Sequence, residues 1–468
     1  MTARHLLSEQ SIYLAGVRGS TSQRAVTSAE KSALVRTFRR RADRAVATDE
    51  AVLHELLLDP DVDPRWVERA GWQSLRDAGR LPDAQAPCEA WARWLEDDIF
   101  ARDLLHQTQL TLVEIERPLT RLRRWLLIED RHADFPRAKA ALIAQAAHHG
   151  GAWLFDADEE AALAHAPDFA AAWLPPLPGL PAPDYADPVT RAVAAQYAGW
   201  PYPVWQRAMR DPPGGLERLR ADHDITPLAP GARLLVAGCG TGREAQRLAT
   251  DAPQAQVTGI DLSPTSLAYA RQRCDAPNLD LRELDLHRAG EIGPFDHIAS
   301  SGVLHHLADP EAGWAALVAA LKPGGTMRVM LYSRFARMQV RAARARIGDL
   351  IGQPVSPALV RQVRARFIDE PDSPIVRSVD FHSMGGVHDL LLHAHEDAFD
   401  VPRIGRAIEA LGLDLLQIDL PSRAARDAWR ADHPHDPHVR DLPALHAWEM
   451  RNPRAFNGMY PIWCVKRG

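Results

Sequence analysis

Glycines 238, 240 and 242 stand within Leu234-Leu-Val-Ala-Gly-Cys-Gly-Thr-Gly-Arg-Glu244, directly behind an apolar run. Glycine takes positive φ without strain and carries no side chain to keep a ligand off the backbone, so a strand running into such a turn and on into a helix forms a cradle for a polar ligand. A dinucleotide pyrophosphate would call for a third glycine three places after the second, where this chain has Arg243. The spacing therefore disfavours NAD and FAD. The next apolar run ends at Asp261, 23 residues after Gly238, and continues through Leu262 into a Ser-Pro helix start. A carboxylate at a strand end can accept from both hydroxyls of a ribose. A further acid, Asp285, precedes Leu286 at the end of the following run.

Other chemistry-bearing groups lie later. Asp389, His393 and Glu396 are spaced i, i+4, i+7, which places three polar groups on one face of a predicted helix. That face reads as a hydrogen-bonded polar surface or as part of a substrate pocket; metal sites on single helices are uncommon, and no metal is assigned. Arg334, Arg337, Arg341 and Arg344 make a second helical stripe, solvated by default and able to meet an anion. Four aromatics, Tyr197, Trp200, Tyr202 and Trp205, crowd into ten residues beside Pro201 and Pro203. They read either as a linker packed on the core or as a stiff strap over the mouth of the glycine loop.

Hydrophobic period supplies the elements that hold these groups. From residue 231 short apolar runs alternate with helical stretches, ARLLVAG, AQVTGID, LDLREL, DHIASSG and TMRVMLY, with LDLLQIDLP and GMYPIWCVK as late strand candidates. Such alternation predicts βαβ units and a parallel sheet. Residues 28–165 have the helical period instead, and the tryptophans 66, 72, 91, 94 and 125 at that spacing read as core. The division expected is a helical domain over 1–172, a proline-rich linker over 173–187 and an α/β domain over 188–468, with a helical insertion at about 334–410 between strands 5 and 6.

Taken together, the glycine loop, Asp261, Asp285, the segment PFDHIASSGVLHHLADP and the segment LKPGGTMRVMLYS resemble the class I S-adenosylmethionine-dependent methyltransferases over residues 231–333. The resemblance implies a seven-stranded Rossmann-like sheet. It also implies S-adenosylmethionine as cofactor, at Gly238, Cys239, Gly240, Thr241, Gly242, Asp261, Leu262, Asp285 and Leu286, with Asp285 on the adenine side. QYAGWPYPVW, GGTMRVMLYSRFAR, DFHSMGGVHDLLLHAHEDAF and FNGMYPIWC are further similar to bacterial methyltransferases that often carry tetratricopeptide repeats, although Ala198, Gly199 and Trp200 replace polar residues usual in that group.

Methyl transfer is an in-line displacement that depends on holding the acceptor near the methyl carbon and excluding water. The fourth strand here ends in Ser300-Ser-Gly-Val303, without the Asp or Asn, Pro-Pro and aromatic of enzymes that methylate base nitrogens. His305 follows as a candidate general base, with packing or capping as the alternative. Tyr332 closes the fifth strand at its carboxyl end, where ligands bind in open α/β sheets. Tyr197, Tyr202, Tyr332, Asp389, His393 and Glu396 are the expected acceptor-pocket residues. The acceptor is an O or N atom of a small molecule or protein; a methyltransferase-like module that binds without transferring is the alternative.

Composition narrows the partners. A net charge of −6 and a pI near 6.4 argue against a nucleic-acid footprint, which is usually a clear basic excess. The four cysteines are far apart with no Cys-x-x-Cys pair, so a zinc knuckle or disulfide framework is not indicated and a reducing compartment fits. No eighteen apolar residues follow one another and MTARHLLSEQ lacks a secretory pattern, so a cytoplasmic protein without a membrane span is expected.

Overall fold

The computed structural model describes residues 49–60, 62–173, 187–207, 214–453, 455–456 and 458–468. The proline-rich stretch and the helical reading of residues 28–48 lie outside the described residues.

Seven strands form one sheet: β1 (Arg233–Ala237), β2 (Gln256–Asp261), β3 (Leu279–Glu283), β4 (Phe295–Ser301), β5 (Leu321–Tyr332), β6 (Leu413–Ile418) and β7 (Met459–Lys466). Their order is β3-β2-β1-β4-β5-β7-β6. β1 to β5 are parallel, while β7 runs antiparallel between β5 and β6. Alternate residues of the buried strands supply two separate cores, Leu235 and Ala237 to one face and Leu234 and Val236 to the other. The order reverses between β1 and β4, and their carboxyl ends open a crevice there. β5 begins earlier than its apolar run, because Leu321 already pairs with Phe295 and Lys322-Pro-Gly-Gly325 bulges before pairing resumes at Thr326.

Helices start where the sequence caps them. Ser263 accepts from the Ser266 N–H at 3.1 Å ahead of Pro264, and Asp309 does the same for Ala312 at 2.9 Å. Before the sheet, eight α-helices between Glu50 and Trp173 among the described residues enclose a core of their own that includes Trp72, Trp91, Leu119, Leu122 and Leu126. Between β5 and β6 come the helices Met338–Arg346, Pro357–Ala365 and Met384–Leu391. Their apolar faces pack with Val113 and with Ala152, in the loop after the helix Pro136–His149, into a third core. The helix Val401–Ala410, expected as part of the insertion, instead packs through Val401, Ile404 and Ile408 into the core of the sheet. Arg364 of the insertion, 0% exposed, joins the two helical parts by pairing with Glu116 at 2.8 Å and donating to the carbonyls of Ala152 and Phe381. No helix among the described residues is long and apolar enough to cross a membrane.

Candidate active site

A single cavity of about 1010 Å³ runs from the glycine loop to the insertion. Gly238, with φ 70°, opens it, since a Cβ there would stand 2.3 Å from Val303 Cγ2 in the loop after β4. Gly242, with φ 82°, serves packing, because a Cβ would meet Cys274 Sγ at 2.6 Å on the neighbouring helix. Gly238, Cys239, Gly240, Thr241, Asp261, Leu262 and Leu286 all line the cavity, while Gly242 lies behind its wall. Asp261 braces the loop: its carboxylate accepts from the Gly240 N–H at 2.7 Å and the Ser263 N–H at 2.8 Å. Burial raises this carboxyl above its ordinary range, and those same N–H groups pull the other way. A carboxylate with lone pairs to spare, backbone at contact distance and apolar Leu262 and Leu286 suit the ribose, amino-acid end and base of S-adenosylmethionine. Asp285 differs from expectation. Its carboxylate caps its own turn, accepting from the His287 N–H at 2.9 Å and meeting His287 Nδ1 at 2.8 Å; Leu284 and Leu286 on either side reach the wall and it does not.

The aromatic segment at 196–205 lies across this loop. Trp205 Nε1 donates to the Thr241 carbonyl at 2.9 Å, and Thr241 Oγ1 donates to the Pro203 carbonyl at 2.6 Å. Tyr269 OH donates to the Trp205 carbonyl at 2.7 Å. Arg243, the first helical residue after the loop, pairs at 2.7 Å with Asp63, which is 2% exposed within the N-terminal helices.

At the far end Tyr197, Tyr202, Tyr332 and Asp389 line the cavity. Tyr197 OH donates to Asp389 Oδ1 at 2.7 Å, and Tyr202 OH donates to Asp380, a residue the sequence reading did not single out. Asp389 is 7% exposed, and burial pushes its carboxyl up to about 7. His393 and Glu396 lie behind the wall: His393 stands 3.3 Å from Tyr197 OH, and Glu396 pairs with Arg337, whose guanidinium covers the Tyr332 ring at 4.2 Å. Asp389, His393 and Glu396 do not share one helix, because Met384–Leu391 ends before the last two. Beyond it, tertiary partners take the backbone groups that a further turn would have used. Ala394 N–H donates to Gln196 Oε1 at 3.0 Å, and Asp397 N–H to the His305 carbonyl at 2.8 Å. The arginine stripe divides likewise: Arg337 is buried and Arg344 donates inward to the Leu391 carbonyl at 2.8 Å, while Arg334 stays exposed beside Asp400.

His305 is not placed to act as a base. It is 0% exposed, stacked under Tyr332 at 3.8 Å, and its Nδ1 accepts the Tyr332 N–H at 3.2 Å. Burial holds its pKa well below the ordinary range, so it is a neutral packing group. The ring that reaches the cavity is its neighbour His306, whose Nδ1–H donates to the His395 carbonyl at 2.9 Å and whose pKa burial lowers to about 3. Nothing in an adjacent His-His pair reveals which ring faces inward, since the short 3₁₀ turn Leu304–His306 decides it.

His306, Asp389 and His393 bring ligand atoms within 4.8 Å of one another. The two imidazoles, however, stack in parallel, 3.7 Å apart and 11° from coplanar, so one ion cannot lie in both ring planes as their lone pairs require. His393 Nδ1 also accepts the His395 N–H at 3.1 Å, which puts its proton on Nε2, the atom a metal would need. The cluster is a hydrogen-bonded stack.

Comparison with known proteins bears on the same residues. Residues 235–327 match the Methyltransferase domain family. Protein syc1184_c of Synechococcus sp. is 32% identical over 270 residues, 53% of this chain and 63% of its own length. The trans-aconitate 2-methyltransferase of Azoarcus sp. is 32% identical over 118 residues, 25% of this chain and 46% of its own. The solved structure of PKMT2 from Rickettsia typhi in complex with AdoHcy superposes with a TM-score of 0.43 at 17% identity, covering 57% of this chain and 56% of that one. The chain thus spans less than two thirds of each of these proteins.

Proposed function

From the match of residues 235–327 to the methyltransferase domain family, we propose that this chain transfers a methyl group from S-adenosylmethionine to an acceptor held among Tyr197, Tyr202, Tyr332 and Asp389. The observation that carries the proposal is the single cavity joining the glycine loop to those four side chains. When bound, the cofactor supplies an electrophilic methyl on a sulfonium sulfur. The chain supplies position and dryness. Gly238, Gly240 and Asp261 fix one partner, the insertion presents the other, and the 196–205 segment covers the mouth, which turns a bimolecular encounter into a held pair. The net charge of −6 supports a small molecule or protein as acceptor rather than nucleic acid.

The test is transfer of labelled methyl from S-adenosylmethionine to bacterial lysate components, with the Gly238→Val variant as control. The parent is expected to label a product and to release S-adenosylhomocysteine in equal amount. Gly238→Val does neither, because its side chain collides with Val303. Calorimetric binding of S-adenosylmethionine by the parent with no label in any product would overturn transfer and leave a nucleoside-binding module.

A further inference from the structure

The acceptor end of the cavity holds two carboxylates that no arginine or lysine contacts among the described residues, the exposed Arg377 on the same lining included. Asp380 and Asp389 both line it. The Asp380 carboxylate accepts from the hydroxyls of Tyr202 and Ser378, and Asp389 accepts from Tyr197. Among the described residues neither has an Arg or Lys within 4.0 Å; the one imidazole so close is His393, 3.9 Å from Asp389, and burial keeps that ring neutral. Arg337 faces Asp389 but is already paired with Glu396 and lies over Tyr332. His306 is neutral as well.

A carboxylate withdrawn from water without a counter-charge, as Asp389 is, is costly, and the cost is relieved by a ligand that brings the missing cation; half-buried Asp380 faces the same space. The rings of Tyr197 and Tyr202, which line the same end, favour the same ligand, since aromatic π systems attract ammonium groups, whereas the Tyr332 ring is already packed between His305 and Arg337. We infer that the methyl acceptor is a cationic amine, its ammonium seated between Asp380 and Asp389 with Tyr197, Tyr202 and Tyr332 as walls. This inference rests on the transferase reading above and adds the chemical class of its substrate. A carboxylate acceptor would be opposed by the same two acids.

An ammonium has no lone pair, so it must lose a proton before it can be methylated. Asp389 is the group that takes it: Oδ1 is held by Tyr197, whereas Oδ2 has only a long contact of 3.5 Å from Tyr332 OH. The amine nitrogen then forms its bond to the methyl carbon while the carbon–sulfur bond breaks, the sulfur keeps that electron pair as a neutral thioether, and the product leaves as a methylammonium. Around Asp389, burial and the charges of Asp380 and Glu396 favour its protonated form, while Tyr197 and Arg337 favour the ionised one. These balance near neutrality, where a carboxylate can both accept and release a proton.

The experiment uses the full chain with methyl-labelled S-adenosylmethionine and lysate, followed by chemical sorting of the label. Label that resists hot alkali and is retained by a cation exchanger after acid hydrolysis is the expected result. Volatile methanol released by alkali, or label in a neutral or anionic product, would overturn the amine class while leaving the transferase standing. No label in any product despite bound cofactor would overturn both. With the unmethylated form of the labelled compound as substrate, Asp389→Asn keeps an oxygen for Tyr197 and is expected to lower kcat by roughly 100-fold or more, while calorimetry shows S-adenosylhomocysteine binding within about twofold of the parent. The acidic limb of the parent's pH profile near 7 should vanish in that variant; an unchanged kcat and profile would remove Asp389 from the proton path.

Discussion

At Asp261 one carboxylate braces the glycine loop through Gly240 and Ser263, and the proposed function gives it a second task, offering its remaining lone pairs to a ribose. Deleting it would leave two N–H groups without acceptors, so alanine would confuse loop distortion with lost ligand contact. Asp261→Asn keeps an oxygen on the loop and removes the charge. It is expected to weaken S-adenosylhomocysteine binding by about 1.5–3 kcal/mol, the worth of hydrogen bonds to a charged acceptor, measured by titration calorimetry. An unchanged affinity would mean the ribose sits elsewhere. The two neighbouring histidines show how local the choice of residue is: His306 meets the cavity and His305 lies beneath Tyr332.

The 196–205 segment is the element that couples the two ends of the cavity. Tyr197 touches Asp389, and Trp205, eight residues further along the segment, touches the carbonyl of Thr241 in the glycine loop. Adding S-adenosylhomocysteine should therefore slow amide hydrogen exchange from Tyr197 to Trp205 together with Gly238 to Gly242. Trp205→Phe, which removes the indole donor, should keep protection in the glycine loop and lose it in the segment. Protection confined to the glycine loop in the parent would leave the segment a packed linker. Its aromatic density was visible in the sequence, whereas the atoms it touches were not, because they come from residues near 241, 269, 380 and 389.

Across the whole molecule, the N-terminal helices are built into the acceptor side. Arg364 holds the carbonyl of Phe381, adjacent to Asp380, and is itself held by Glu116 of the helix Val113–Ile128. Burial would raise the Glu116 carboxyl, but Arg364 and His382 outweigh it and bring it down from 4.5 to about 2. A depressed acid stabilises the fold fully above its ordinary value of 4.5 and loses that contribution as pH falls toward about 2. Glu116→Gln leaves Arg364 buried without its counter-charge and should destabilise the protein at neutral pH by about 3–5 kcal/mol, read as a lower midpoint in thermal unfolding. The gap between parent and variant should close as pH drops from 4.5 to about 2. A gap that stays constant over that window would place the stabilisation in something other than the ion pair.

Local pattern determined the seven strands, the glycine cradle and the acid at the end of β2, because each depends on contiguous residues: an apolar run, a turn that only glycine fills easily, a strand-end position. Tertiary structure alone decided the antiparallel placement of β7, the inward turn of Arg337, the end of the helix before His393 and the choice of His306 over His305. In each of these the deciding partner is far away in sequence. Glu396 neutralises Arg337 across 59 residues, Gln196 takes the N–H of Ala394 across 198, and the carbonyl of His395 orients His306 across 89. Periodicity can tell that a face is buried; the identity of what covers it is fixed only when the chain has closed on itself.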